Sequence, residues 1–129
     1  MLQIDCPVRH YFAPGLYARE ITIPAGIVLI GAVHRMQNIA VLSAGRLRLV
    51  VDGGSIEITA PHTVVIAAGA KNAAVALETA VWTNFLPNPD NETDADKLAE
   101  RYTESKASDL IGGATNQQLA ANKAAEIEA

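Results

Sequence analysis

Short runs of alternating apolar and polar residues, cut at close intervals by Gly and Pro, fill the chain as far as Pro87-Asn88-Pro89-Asp90 and stop there. A period of two places every second side chain on one face of a strand, so each run needs a second layer to bury that face against. Residues 16–23 alternate and end at the turn signal Pro24-Ala25-Gly26. Residues 27–34 are nearly continuous in apolar side chains, the pattern of a strand covered on both faces. Residues 38–43 follow, and Ala44-Gly45 turns the chain. In residues 46–51 the alternation sends Arg46 and Arg48 outward and Leu47 and Leu49 inward. Asp52-Gly53-Gly54 signals a hairpin, because Asp-Gly supplies the positive φ that a tight connection needs. Residues 55–59 resume the alternation, with Ile56 and Ile58 expected inside. Residues 62–67 and 73–85 complete the set around a turn at Gly69-Ala70-Lys71-Asn72. Some seven or eight short strands with no helix between them predict an all-β sandwich or barrel and exclude alternating strand–helix folds.

Beyond residue 90 the composition shifts to Ala, Glu, Asp, Lys, Asn and Gln. Thr93-Asp94-Ala95-Asp96 resembles a capping box with Thr93 as N-cap. Ala95, Leu98, Ala99 and Tyr102 then recur at helical spacing and form one apolar face, expected to pack on the sandwich or on a neighbouring subunit. Gly112-Gly113 breaks the pattern. Residues 115–128 are helix-capable, with a thin face of Leu119, Ala124 and Ile127 that needs a partner to hold it. The expected organisation is an N-terminal arm over 1–15, a β domain over 16–90, and a C-terminal helix and tail over 91–129. A chain of 129 residues leaves no room for a second core.

Half of the residues are hydrophobic and 19% are charged, a core-forming composition. A net charge of −4 argues against general nucleic-acid binding, which needs a basic face to displace phosphate counterions. No apolar stretch is long enough for a membrane span, and the first residues lack the basic and apolar segments of a signal peptide. Cys6 is the only cysteine, so no intramolecular disulfide forms, and a reducing intracellular compartment is expected.

The segment from Gly31 through His34 and Asn38 to Gly45 resembles the first cupin motif, in which two histidines and a glutamate on adjacent strands point into one barrel interior. The resemblance places those ligands at Ala32, His34 and Asn38. The second cupin motif is matched by residues 67–72, with Ala67 in place of its proline and Asn72 in place of its histidine. The implied fold is a cupin-like jelly-roll whose metal site has degenerated to His34, with Asn38 and Asn72 at lost ligand places. Over residues 11–105 the order of phrases is also similar to small cupin-like proteins commonly encoded by tailed bacteriophages. Those phrases include Tyr17 to Gly26, Val33-His34-Arg35, Glu78-Thr79-Ala80-Val81-Trp82-Thr83 and Asn91-Glu92-Thr93-Asp94. Where those relatives tend to carry further histidines, this chain has Asn38 and Leu77.

Candidate site residues are sparse. His34 is the leading one, either as a ligand to a divalent metal or as a pocket histidine satisfied by a hydrogen bond. His10 and His62 read as surface or turn residues, and Glu20 and Glu57 as outward strand positions with no paired carboxylate for acid–base work. Arg9, Arg19, Arg35, Arg46 and Arg48 read as solvated strand faces, or as a patch for an acidic partner. Trp82 reads as a core anchor, and Leu98 and Tyr102 as helix packing residues. Cys6 has no general base near it in sequence.

The absent ligands, the lack of a catalytic constellation and the arm-like ends predict a non-enzymatic bacteriophage structural protein without a cofactor. It would be a virion-associated decoration, cement or tail component made in the host cytoplasm. It would form a homo-oligomer, a trimer before a dimer, contacting capsid or tail proteins and neither nucleic acid nor membrane. The alternatives are a metal-dependent cupin enzyme, and a small-ligand-binding or anti-defence protein that uses a polar spot at His34 and Asn38 in the barrel interior.

Overall fold

The structure, a computed structural model, describes residues 6–30, 33–51, 54–69 and 73–103. Among them nine strands run in chain order: β1 Val8–Ala13, β2 Gly15–Ile23, β3 Val28–Ile30, β4 Asn38–Ala44, β5 Arg46–Val51, β6 Gly54–Thr59, β7 His62–Ile66, β8 Ala73–Ala76 and β9 Ala80–Asn88. One helix follows, α1 Ala95–Tyr102. The strands form two antiparallel sheets, ordered β1-β2-β9-β4-β7 and β3-β8-β5-β6. The chain repeatedly crosses from one sheet to the other, which makes a two-layer jelly roll. No described helix is long and apolar enough to cross a membrane.

The core lies between the layers and is built from the inward positions of the alternating runs. Ile21 and Ile23 of β2, Leu42 of β4, Leu47 and Leu49 of β5, Ile58 of β6 and Ala80 of β9 form its buried cluster, together with Cys6. Arg46 and Arg48 lie on the outer face, as the alternation predicts, and both bond Glu57 across the hairpin, at 3.3 and 2.9 Å. These guanidinium groups, the Arg48 hydrogen bond first, hold the Glu57 carboxyl below its ordinary range. β5 and β6 pair antiparallel out to Val51 and Gly54, as the expected hairpin requires, and Asp52 and Gly53 lie outside the described residues. Ile56 departs from expectation and is 53% exposed. β6 is the edge of the smaller sheet, and only its Ile58 end reaches the core.

Two boundaries also move. Residues 8–13, expected as part of an arm, form β1 and pair with β2 from Val8–Ile21 to Ala13–Leu16. The turn between them is Pro14-Gly15, with Gly15 at φ +76°, the positive φ that glycine supplies after a turn proline. The apolar run of residues 27–34 shortens to Val28–Ile30, and His34 rejoins regular structure through a bridge to Thr103 at the end of α1.

Asp94, not Thr93, caps α1, accepting from the N–H groups of Asp96 at 2.9 Å and Lys97 at 3.2 Å. Leu98, Ala99 and Tyr102 are buried, and Leu98 and Tyr102 cluster with Tyr17 of β2 and Leu86 of β9. The helix therefore docks on its own sandwich. Residues 115–128, expected as a second helix, lie outside the described residues. Replacing Asp94 with Ala is expected to cost about 1 kcal/mol, while Thr93→Ala leaves stability near the wild type. Thermal denaturation of the two variants checks this; an equal loss from both would reject Asp94 as the cap.

Candidate functional site

Strand register gathers a polar row on the inner face of the larger sheet. His10 of β1 pairs with Arg19 of β2, Arg19 with Asn84 of β9, and Asn84 with Ala40 of β4. Side chains at directly paired positions stand about 5 Å apart. Tyr17 shares this inner face two residues before Arg19, and Ile21 and Ile23 continue it. Arg19 therefore occupies an inward parity. This corrects the expectation of a solvated arginine, and it agrees with Glu20, the next residue, lying at an outward position.

His10 is corrected in the same way. It belongs to β1 and lines the interior, with Nδ1 2.7 Å from the Tyr17 hydroxyl and its ring stacked on that phenol. Phe12 stacks on Tyr17 from the other end of β1, at 5.3 Å between ring centres. Asn84 donates from Nδ2 to Asn38 Oδ1 at 2.9 Å, and Asn38 donates to the Met36 carbonyl at 3.4 Å. Asn38 thus serves a buried amide pair. His34 sits where the chain from β3 meets the end of α1, its carbonyl accepting from the Gly69 N–H at 2.8 Å. Its Nδ1 is buried with no hydrogen-bond partner among the described residues.

These groups border a cavity of about 110 Å³. Leu29, Ile30, Ala73 and Ala74 of the smaller sheet form its apolar wall, with Ile66 and Trp82. The α1 face of Ala95, Leu98, Ala99 and Tyr102 roofs it. Trp82 is half-buried, packing on the core while lining this space. Several bonds fasten the roof. The Tyr102 hydroxyl donates to the Pro87 carbonyl, and Arg101 forms a two-pronged pair with Asp90 at 2.7 and 2.6 Å. That pair holds the Asp90 carboxyl below its ordinary range. The Arg35 N–H donates to the Tyr102 carbonyl at 2.7 Å and its Nε to the Thr103 carbonyl at 2.8 Å. His62, by contrast, begins β7 on the exposed surface, and Cys6 is a buried core residue.

The cavity lining contains no Asp or Glu among the described residues. Burial, and then the nearby Arg19 charge, push both His10 and His34 below the ordinary imidazole value of 6.5. Burial also raises the Tyr17 phenol to about 12, and lowers the Arg19 guanidinium against the favourable effect of Tyr17. The His10–Tyr17 pair is therefore neutral, and it orients hydrogen bonds without separating charge. The unfolded chain binds more protons than the folded one between the two lowered imidazole values and 6.5, so stability rises with pH through that window. Acidification from about pH 7 to about pH 5 is expected to lower Tm, and His10→Gln together with His34→Gln to flatten that dependence. A Tm that holds or rises on acidification in the wild type would contradict these lowered values.

The described residues do not fit the metal that the cupin motif implies. No group of three or more His, Cys, Asp or Glu side chains gathers among them. His34 stands at the cavity, Asn38 is engaged by Asn84, and Ala32 and Asn72 lie outside the described residues. The cation on Arg19 acts on both imidazoles and opposes a second positive charge beside them.

No family model matches the chain, and neither does any curated protein. Solved structures do match. A cupin-2 domain protein from Shewanella frigidimarina superposes with a TM-score of 0.55 at 12% identity, over 67% of this chain and 85% of its own. An RmlC-like cupin from the same organism gives 0.52 at 20% identity, over 62% of this chain and 73% of its own. A salicylate 1,2-dioxygenase from Pseudaminobacter salicylatoxidans gives 0.57 at 12% identity, over 63% of this chain but only 26% of the dioxygenase. The fold of the described residues is thus a cupin-like jelly roll with one C-terminal helix. The expectation of a virion-associated structural protein is corrected. The fold is shared with proteins described as cupins and with a salicylate 1,2-dioxygenase, and none of these descriptions is of a virion component. One of its structural supports also changes, since residues 8–13 of the presumed arm form a sheet strand; residues 106–129 lie outside the described residues.

Proposed function

We propose that this chain binds a small organic molecule inside the jelly roll, in the cavity roofed by α1. The observation that supports the reading is the gathering of His10, Tyr17, Arg19 and Asn84 on one sheet face of a cavity whose remaining lining is mostly apolar, with His34 and Thr103 as its further polar residues. Convergent polar groups against an apolar wall are the ordinary composition of a ligand site. A cavity of about 110 Å³ is somewhat smaller than the ~150 Å³ apolar cavity that admits benzene, so it suits a ligand of a few heavy atoms, or a larger one with α1 displaced.

Trp82 supplies the test, because it is the only tryptophan and it lines the cavity. Titration with a fragment set of acids, bases and neutral molecules is expected to change Trp82 emission and raise Tm for the same compounds. Saturation at one hundred times Kd adds about 2.7 kcal/mol of apparent stability. The reading is abandoned if no compound moves either signal.

A further inference from the structure

We infer that the outer face of the larger sheet docks a second copy of this chain, the two copies packing sheet on sheet. This face is turned away from the cavity, so the inference does not depend on the ligand reading. Strand register lines up one apolar row across it from edge to edge. Tyr11 of β1 pairs with Ala18 of β2, Ala18 with Phe85 of β9, Phe85 with Ile39 of β4, and Ile39 with Val65 of β7. Ala13, Leu16 and Pro87 form a second apolar row beside it. Exposure reaches 45% at Leu16, 47% at Ile39, 48% at Tyr11 and 60% at Val65. Among the described residues, α1 docks on the opposite side of this sheet, against Tyr17 and Leu86, and leaves the outer face bare.

Alternation in an antiparallel sheet ordinarily gives a solvent-facing side polar residues, and the smaller sheet follows this with Arg46, Arg48 and Glu57. The larger sheet does not. Its third outward row, Arg9, Glu20, Thr83, Val41 and Thr63, holds the only charged positions of the three rows. Contiguous apolar patches beyond a few hundred Å² mark interaction sites. Five strands about 4.8 Å apart, with rows about 7 Å apart, cover roughly 24 Å by 20 Å once side-chain widths are included, or ~500 Å². Two such faces remove about 1,000 Å² from water even as flat planes, the area that a specific interface needs. The charge pattern selects the occupant. A twofold axis sets one surface against itself, so a face of one charge sign would repel its own copy. Here the two charges, of Arg9 and Glu20, are opposite in sign and directly paired at the β1 edge. The rest of the face has no charge to complement in a partner of another kind. Tyr11 and Phe85 add the aromatic side chains that interface cores favour.

Sedimentation equilibrium of the full chain at micromolar concentrations tests this, and a reversible dimer is expected. Ile39→Lys and Val65→Lys are each expected to raise its Kd about thirty-fold or more, the scale of an interface hot spot, because each buries a charge in the contact. Val50→Lys, at an exposed position of β5 in the smaller sheet, is expected to leave the dimer intact. Should a lysine variant fail to fold, Val65→Thr replaces it and is expected to weaken the dimer about three-fold or more, since its hydroxyl is buried against apolar groups. A chain that stays monomeric into the hundreds of micromolar overturns the inference and leaves the face to another occupant, residues 104–129 or a different protein. An association that Ile39→Lys and Val65→Lys leave unchanged, or that Val50→Lys weakens equally, lies on another surface and also overturns it. So does an assembly of three copies, because one face against itself closes at two.

Discussion

Gly45→Ala is expected to lower Tm by roughly 15 °C or more, or to abolish soluble protein. Gly45 links β4 of one sheet to β5 of the other, at φ +82°. A Cβ there would lie 2.2 Å from the Thr79 carbonyl oxygen and 2.8 Å from the Ala80 Cα. Both contacts are backbone at the entry to β9, which is paired on both sides, with β2 and with β4. The Gly45 carbonyl accepts from the Ala60 N–H at 3.0 Å, and the next carbonyl, of Arg46, accepts from Leu77 at 2.9 Å. Neither side of the clash can move without breaking ladder or turn bonds. Gly15 is the control. It has nearly the same φ, +76°, but no atom within 4 Å of its notional Cβ. Gly15→Ala therefore bears only the conformational strain, about 1–2 kcal/mol. Gly45→Ala adds overpacking against fixed backbone, about 3 kcal/mol or more on top of that strain. Against a total stability of about 5–15 kcal/mol this is decisive. Similar melting temperatures for the two variants would show that the connection yields.

Gly45 also shows what the sequence conveyed and what it did not. It closes the segment that resembles a cupin motif, and the structure gives it a packing reason that stands without any metal. Where a feature depends on near neighbours, the sequence was a sufficient guide. Leu47 and Leu49 face inward, Val51 meets Gly54 across the hairpin, and Leu98, Ala99 and Tyr102 share the buried helix face. The cavity depends on distant neighbours. His10, Arg19, Asn84 and Tyr102 meet only through the β1–β2–β9 register and the docking of α1, and no local pattern announces that register. Arg19 is the instructive miss. Its inward parity follows from the alternation of residues 16–23, but an arginine on an inward position runs against the usual cost of burying charge. β1 lies within the expected arm over 1–15, and only its pairing with β2 across Pro14-Gly15 distinguishes it as a strand. The tail composition then carried the functional expectation toward assembly, whereas the named neighbours of the fold are cupins and dioxygenases.

Leu98→Ala is expected to release the roof of the cavity. Leu98 is 1% exposed, within a cluster of Tyr17, Leu86 and Tyr102. Truncating a fully buried Leu to Ala costs about 2–5 kcal/mol, depending on how far the site collapses. Collapse is limited here, because the space beneath is already a cavity and its far wall belongs to a different sheet. An eight-residue helix has no independent stability, so α1 remains folded only while its apolar face is docked. The loss should therefore exceed that of Tyr102→Phe, which removes one hydroxyl bond to the Pro87 carbonyl and costs about 1 kcal/mol. The two variants also differ in ligand response. Tyr102→Phe keeps the roof seated and its ring in place, so ligands that stabilise the wild type still raise Tm. Leu98→Ala lets water reach Trp82, which shifts its emission to the red before any ligand is added, and it lowers ligand affinity at least ten-fold. If Leu98→Ala melts within about 2 °C of the wild type and leaves Trp82 emission unchanged, α1 is not the element that closes this cavity.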